Sequence, residues 1–279
     1  MKSYLRFLSR NKLYTAIEVV GLSVALAFVL IIGSYVWQEY SISRENPDYE
    51  RIYIPTQSMP YGIFEPMKEQ IPEIEKITLV NSFDDVVMEC DDERLVTRGL
   101  AVRGDFFDIF DYEFLIGDAG CLESYTDIVI SESYAAKLAG KPELAVGMKI
   151  VPVDYPSQAY TVTGVIKDFD QNYWKYMDFI CKGESPLNDS AQKNPIFTLS
   201  ATAFIKVAES ADVDALGGKI QDIFRQLWGE KLNAAMIDQF TVNLGIERFD
   251  KLYFSGEMID SYLNMGDRSQ IIILLIVSL

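Results

Sequence analysis

The chain has 279 residues, 49% of them hydrophobic, so it can bury a substantial core and is not expected to be disordered. Its formal net charge is −16, from 41 acidic and 25 basic residues, and a surface this acidic excludes a nucleic-acid-binding role because it would repel phosphates. The lack of histidine, together with three cysteines that have no C-x-x-C spacing, excludes a Cys/His zinc site.

Residues 1–18 form a basic segment, followed at 19–38 by a predicted transmembrane helix. The apolar run from Val19 to Trp37 reaches about 28 Å at ~1.5 Å per residue, close to the roughly 30 Å hydrocarbon core of a bilayer. Basic flanks favour the cytoplasmic side, so we expect a cytoplasmic N-terminus and an acidic body across the membrane. The alternative, a cleaved signal peptide, requires a shorter apolar region of about 7–15 residues.

Small residues recur within this predicted helix. Gly21 and Ala25 are four apart, as are Ser23 and Ala27, which predicts one face of small residues where another helix can approach closely. The alternative is that these residues only reflect how common small side chains are in membrane spans.

The body, residues 39–269, alternates short β-like runs with helical ones, which predicts an α+β fold. Ser131 is predicted to cap a helix that Gly140 ends, and Val213, Leu216 and Ile220 lie at helical spacing. The predicted elements are a helix in 62–71, a strand in 95–102, a short helix with a solvated face in 104–114, a strand and helix in 127–139, a strand in 160–169, a loop in 182–195, a strand in 199–207, a helix in 212–232 and a strand in 238–246.

The sequence contains no recognisable catalytic or cofactor motif. There is no G-x-x-x-x-G-K-[ST] phosphate loop and no G-x-G-x-x-G after a strand, and without histidine a Ser-His-Asp arrangement is ruled out. The acidic clusters lack calcium-loop spacing. We therefore predict no catalytic, cofactor-binding or metal residues, no cofactor and no enzymatic activity, with any ATP hydrolysis carried out by a partner. Cys90, Cys121 and Cys181 are either three free thiols or one disulfide and a free thiol.

Five phrases follow one another in a specific order: NPDYERIYIP, IPEIEKIT, VRGDFFDIFDYEFLIGD, DIVISESYAAKLAGKPELAVGMKI and YTVTGVIKDF. In this order they resemble the extracytoplasmic core of MacB/FtsX-like ABC transporter permeases, particularly the versions common in Bacteroidetes-type bacteria. The most specific part is the pair FFDIFDYEFLIGD and VISESYAAKLAG.

This resemblance implies a porter-like α/β subdomain interrupted by a smaller β-rich subdomain. The porter-like part would be about 41–104 plus 200–268, and the inserted part about 105–199. Residues 270–279 would be the truncated start of a second transmembrane helix, because the nine residues of IIILLIVSL reach only about 13.5 Å at ~1.5 Å each.

The resemblance also implies a permease subunit of the cell inner membrane whose periplasmic domain transmits ATP-driven motion, for export or for mechanotransmission. Only the short basic segment 1–18 precedes the predicted first span, so the ABC ATPase is expected as a separate subunit in trans. A homo- or heterodimer of permease subunits and a periplasmic partner protein are further expectations.

Two other function classes explain parts of the sequence. An extracytoplasmic sensor domain of a two-span signalling receptor accounts for the layout equally well but not for the ordered phrases. A membrane-anchored hydrolase is disfavoured because the chain has neither histidine nor a nucleophile motif.

Overall fold

The computed structural model describes residues 12–91, 93–168, 173–183, 200–230, 232–242, 244–255 and 262–278. The chain divides into two compact units, the first made of the residues up to Ile42 and from Gly266 onwards, the second of Ser43–Met265. The basic segment before residue 12 and all but the first two residues of the predicted 182–195 loop lie outside the described residues.

The first unit consists of two apolar helices, α1 (Lys12–Ser41) and α9 (Arg268–Ser278). Helix α1 has 30 residues, none of them buried, and it contains the predicted span 19–38. Among the described residues it is the one helix long and apolar enough to cross a membrane. Helix α9 contacts α1 and buries Ile271, while its other apolar side chains are largely exposed. Apolar surface of this extent is stable when the surroundings are apolar as well.

The second unit is built on one mixed sheet, to which eleven strands of the described residues belong. The strands are β1 (Ile52–Pro55), β2 (Met59–Pro60), β3 (Ile74–Cys90), β4 (Glu93–Gly104), β5 (Phe114–Ile116), β6 (Asp127–Ser131), β7 (Lys149–Pro152), β8 (Tyr160–Ile166), β9 (Phe179–Lys182), β10 (Ser200–Val207) and β11 (Ile246–Arg248). The helices are α2 (Phe64–Gln70), α3 (Phe106–Ile109), α4 (Glu132–Ala139), α5 (Pro142–Ala145), α6 (Val213–Trp228), α7 (Ala234–Val242) and α8 (Phe249–Leu252). The predicted α+β class is confirmed.

Part of the sheet closes on itself. The strands follow the order β11, β1, β10, β3, β4, β9, β6, β8, β5, and β7 pairs with both β3 and β8. Strands β3, β4, β9, β6, β8 and β7 therefore form a closed ring, in which each strand has a neighbour on both sides. Closure of this kind leaves no unpaired edge among its members. We call this ring of six strands the barrel.

One hydrophobic core lies between the open part of the sheet and the helices α2, α6 and α7. Helix α6 buries Leu216, Ile220, Ile223, Phe224 and Trp228, the face that its spacing predicts. The inward residues of β10 alternate with outward ones, as expected for a strand with one face on this core. We call this the first core.

A second core fills the barrel. It contains Met88 of β3, Ala101 of β4, Ile130 of β6, Val162 of β8 and Phe179 of β9, and Tyr134 of α4 packs against them. Helix α4 begins and ends as predicted: the Ser131 hydroxyl accepts a hydrogen bond from the Tyr134 amide at 3.2 Å, and Gly140 ends the helix with φ 75°.

The phrase GDFFDIFDYEF forms a shorter helix than its spacing predicts. Only Phe106–Ile109 are helical, and the chain then extends into β5. Phe110 packs against Trp174 and Phe204, with ring centroids 5.0 and 5.1 Å apart, on the sheet face opposite the first core. Asp108 is exposed and pairs with Lys76 at 2.8 Å, in agreement with the predicted solvated face. Asp105 is more buried: it pairs with Lys68 at 3.3 Å and accepts a hydrogen bond from the Ile77 amide at 3.2 Å.

The predicted strand at 238–246 is wrong. Helix α7 covers Ala234–Val242, and a strand begins only at Ile246. The Asn233 side chain accepts a hydrogen bond from the Met236 amide at 2.9 Å, which starts the helix. Phe240 then stacks on Phe224 of α6 with ring centroids 3.8 Å apart. This tertiary contact, together with the cap, overrides the strand preference of the Phe-Thr-Val run.

Candidate functional site

The small residues of α1 lie on two faces of the helix, not on the single face predicted. Successive residues of an α-helix are rotated by about 100°, so Ser23 and Ala27 point about 200° away from Gly21 and Ala25. All four are exposed, and a Cβ added at Gly21 would meet no atom within 4 Å. The Ser23 hydroxyl donates to the Val19 carbonyl at 2.7 Å, so its polar group is satisfied within the helix. The role of these residues in helix packing stays a prediction.

The β3–β4 hairpin is shared by both cores of the second unit. Strand β3 has 17 residues; Ile74, Ile77 and Leu79 lie in the first core, whereas Met88 and Cys90 lie in the barrel. Strand β4 pairs with β3 along this length, from Thr78 opposite Gly104 to Cys90 opposite Glu93. The two cores are therefore joined by a paired two-stranded ladder and not by a flexible linker.

The ladder has one irregularity, between Phe83 and Val86. Asp85 in this bulge has φ 55°, a left-handed conformation that aspartate and asparagine adopt more readily than most residues. Its carboxylate lies 3.8 Å from Nε of Arg98 on β4. The bulge keeps Phe83 and Val86 on the same side of the hairpin.

An apolar groove opens beside this bulge, with a volume of about 250 Å³. Its lining residues come from β3, from β9, from β7 with the loop after it and from the start of β8, namely Phe83, Val86, Met88, Pro152, Tyr155, Gln158, Tyr160 and Phe179. The β3–β7 seam beside the groove is short, with only Met88 opposite Pro152 and Glu89 opposite Val151 in register. The β7–β8 seam is equally short, with two residue pairs in register, so the groove lies where β7 is only briefly paired with the rest of the barrel.

Phe179 forms one wall of the groove, and the position of its ring requires a residue without a side chain at position 99. Its ring stacks beside Phe83, with centroids 6.2 Å apart, and lies over Gly99 of β4. A Cβ at Gly99 would come within 2.2 Å of the Phe179 ring. Gly99 therefore leaves the space that this aromatic side chain occupies.

A series of polar groups begins in the groove. Gln158 donates to the Tyr160 hydroxyl at 2.6 Å, and the Cys181 thiol lies close enough to that hydroxyl to influence its pKa. Burial in the barrel raises the pKa of the Cys181 thiol to about 12, and burial also raises the pKa of Tyr160. Both groups are therefore neutral at physiological pH. The thiol is not poised as a nucleophile, because reactivity requires the thiolate.

The cysteines are free thiols, which resolves the alternative left by their spacing. Cys90 and Cys181 are buried and Cys121 is half-buried. Burial raises the pKa of Cys90 as well, assisted by the nearby carboxylates of Asp91 and Glu93. Within the described residues, no group of three or more His, Cys, Asp or Glu side chains is arranged to hold a metal ion.

The sequence model of one protein family, the MacB-like periplasmic core domain, matches residues 15–223. The chain belongs to this family. The match begins within α1 and ends within α6, so it includes the apolar helix, the β3–β4 hairpin and the barrel strands. The resemblance seen in the ordered sequence phrases is confirmed.

A solved permease domain shows the same fold, and two other solved domains have a lower similarity to this chain. A domain assigned to a permease protein of Porphyromonas gingivalis aligns with a TM-score of 0.57 at 20% identity, covering 71% of this chain and 99% of that domain. The periplasmic region of MacB from Actinobacillus actinomycetemcomitans has 12% identity and a TM-score of 0.48, covering 76% of this chain and 95% of that one. The extracellular domain of the ABC-type transporter YknZ from Gram-positive bacteria has 11% identity and a TM-score of 0.46, covering 64% and 95%. No curated protein sequence matches the chain.

Membership of the MacB-like family assigns the chain to the periplasmic domains of ABC-transporter-type permeases, anchored in the membrane by an apolar N-terminal helix. Permeases of this type are transporter subunits that work with an ABC ATPase. The groove was not predicted from the sequence. Its residues come from three separate segments, and the one local signal, the exposed aromatics Phe83 and Tyr155 beside aspartates, also fits an ordinary surface loop.

Proposed function

We propose that this MacB-like chain is the permease subunit of an ABC transporter and that its periplasmic body transmits ATP-driven motion from a separate ATPase subunit. The β3–β4 hairpin is the observation that carries this proposal. A paired hairpin of this length resists bending more than a single connecting strand, because bending it breaks ladder hydrogen bonds on both strands. Movement applied at the first core would therefore reach the barrel.

The proposal includes a division of the body. The porter-like part is about 41–104 plus 200–268, and the inserted part is about 105–199. In this division, residues 86–101 of the hairpin fall in the porter-like part. The side chains of Val86, Leu95 and Ala101 nevertheless pack in the second core, which fills the barrel. This overlap supports transmission, since the two parts share strands.

The proposed orientation places the N-terminus in the cytoplasm and the body in the periplasm. The basic residues before α1 support it through the positive-inside rule. Helix α9 is proposed to be the beginning of a second span, which its apolar composition and its contact with α1 support. A permease dimer, an ATPase in trans and a periplasmic partner protein complete the proposed assembly.

The test is affinity purification of the tagged full-length chain from its native inner membranes after mild cross-linking. We expect a polypeptide with a G-x-x-x-x-G-K-[ST] motif to co-purify, identified by mass spectrometry, together with vanadate-sensitive ATP hydrolysis. An unrelated single-span periplasmic protein with the same tag is the control. Recovery of a cytoplasmic signalling protein in place of an ATPase would support the sensor-domain alternative and contradict the proposal.

A further inference from the structure

The groove beside the β3–β4 bulge is an unpartnered apolar surface. Phe83 and Tyr155 at its edge are 39% and 68% exposed, whereas Met88 and Phe179 at its base are buried. Its volume of about 250 Å³ is at the small end of the range for ligand pockets, roughly 300–1,000 Å³. A site of this size accepts one large side chain, the kind of anchor that dominates protein–protein interfaces.

Three aspartates adjoin the lining residues of the groove in the sequence. The two segments that supply most of the lining, 83–86 and 152–160, contain Asp84, Asp85 and Asp154 and no lysine or arginine. All three aspartates are exposed, and we call them the rim aspartates. Arg98 on β4 lies 3.8 Å from Asp85, and the two lining segments themselves contribute only negative charge.

We propose that this groove is a docking site for a periplasmic protein segment that carries a large apolar side chain next to lysine or arginine. The apolar side chain would fill the groove against Phe83 and Phe179, and the basic groups would lie against the rim aspartates. This inference goes beyond the transmission of motion, because it assigns a binding surface and the chemistry of its partner.

The charges and the groove have separate roles in this site. Exposed ion pairs add little to stability, but complementary charges select between partners and accelerate association. The apolar contact supplies affinity because it removes the exposed aromatic surface from water. A site of this kind therefore distinguishes a basic partner from an acidic one with the same apolar anchor.

The experiment uses the full-length chain in nanodiscs of zwitterionic lipid, with methionine labelled as ¹³C-methyl. The Met88 methyl resonance reports on the groove, and it is assigned by its disappearance in the Met88→Leu variant. The probes are a basic peptide, Ac-Gly-Lys-Trp-Lys-Gly-NH2, and an acidic peptide, Ac-Gly-Glu-Trp-Glu-Gly-NH2. We expect saturable shifts of Met88 with the basic peptide and binding about fivefold weaker with the acidic one.

Two sets of variants separate charge from apolar contact. Asp85→Asn with Asp154→Asn removes two of the three rim charges, and asparagine keeps the left-handed backbone at position 85. This variant should clearly reduce the preference for the basic peptide. Tyr155→Ala should weaken the binding of both peptides. Because Tyr155 is exposed, this substitution should leave folding intact. Asp222→Asn, at an exposed position of α6 away from the groove, is the matched charge control and should leave the binding of both peptides unchanged.

The proposal is overturned if Met88 does not shift with either peptide or if the two peptides bind equally well. If the Asp222→Asn variant bound both peptides more weakly, the proposal would also be overturned, because the charge effect would then be general and not local. A Met88 shift produced by added lipid alone would identify the groove as a lipid site and not a protein-docking site. Each of these results leaves ATPase co-purification unchanged, so they are distinct from failure of the proposed function.

Discussion

At the scale of single residues, the sequence identified the positions whose roles are local. Ser131 as a helix cap and Gly140 as a helix end follow from side-chain and backbone preferences that act within a few residues. Gly99 is different, because its role depends on a ring 80 residues further along the chain, Phe179. Within the sequence, Gly99 reads only as an interruption of a strand-like run.

Replacing Gly99 with alanine should destabilise the protein by about 1–3 kcal/mol, the usual cost of forcing extra atoms into a packed site. The added Cβ would fall 2.2 Å from the buried Phe179 ring, which has to move. The measurement is the thermal unfolding midpoint of the full-length chain in detergent. Gly218→Ala is the control: that position on α6 is open, so alanine should be neutral or stabilising by up to ~1 kcal/mol. Equal midpoints for the two variants would contradict the account.

At the scale of secondary-structure elements, the sequence was most reliable where hydrophobic spacing and end signals agree. Helices α4 and α6 and strands β8 and β10 combine both kinds of signal and lie close to their predicted positions. The wrong strand prediction at 238–246 has a specific cause. Phe240 and Thr241 favour a strand in isolation but become helical when Phe240 stacks on Phe224. Such a contact between two helices cannot be seen in either segment alone.

Helix α1 allows a test of the proposed permease dimer at this scale. We expect Gly21→Leu with Ala25→Leu to weaken self-association in bilayers by about tenfold, because leucine prevents close approach of the backbones at the glycine face. Förster transfer between labelled copies provides the measurement. Ser23→Leu with Ala27→Leu, on the opposite face of the helix, is the matched control and should have little effect. If both pairs of substitutions act alike, neither face is the specific contact.

At the scale of the whole molecule, the sequence and the family resemblance predicted an apolar helix followed by an α+β body, and both are confirmed. Closure of the barrel was not predicted. It depends on β7 pairing with both β3 and β8 and on parallel pairing of β4 with β9, in which paired residues are 80 positions apart in the sequence. Hydrophobic patterns specify which face of a strand is buried, but they do not specify its neighbours.

The central claim is that the β3–β4 hairpin makes the two cores of the body move together. The direct measurement is double electron–electron resonance between spin labels at Leu144→Cys in the barrel and Glu209→Cys beside the first core, both exposed positions. The full-length chain would carry Cys121→Ser, while the buried Cys90 and Cys181 remain. In complex with its ATPase, we predict one narrow distance distribution that is the same with and without ATP. A distribution that broadens or shifts when ATP is added would show that the cores move independently and would contradict the account.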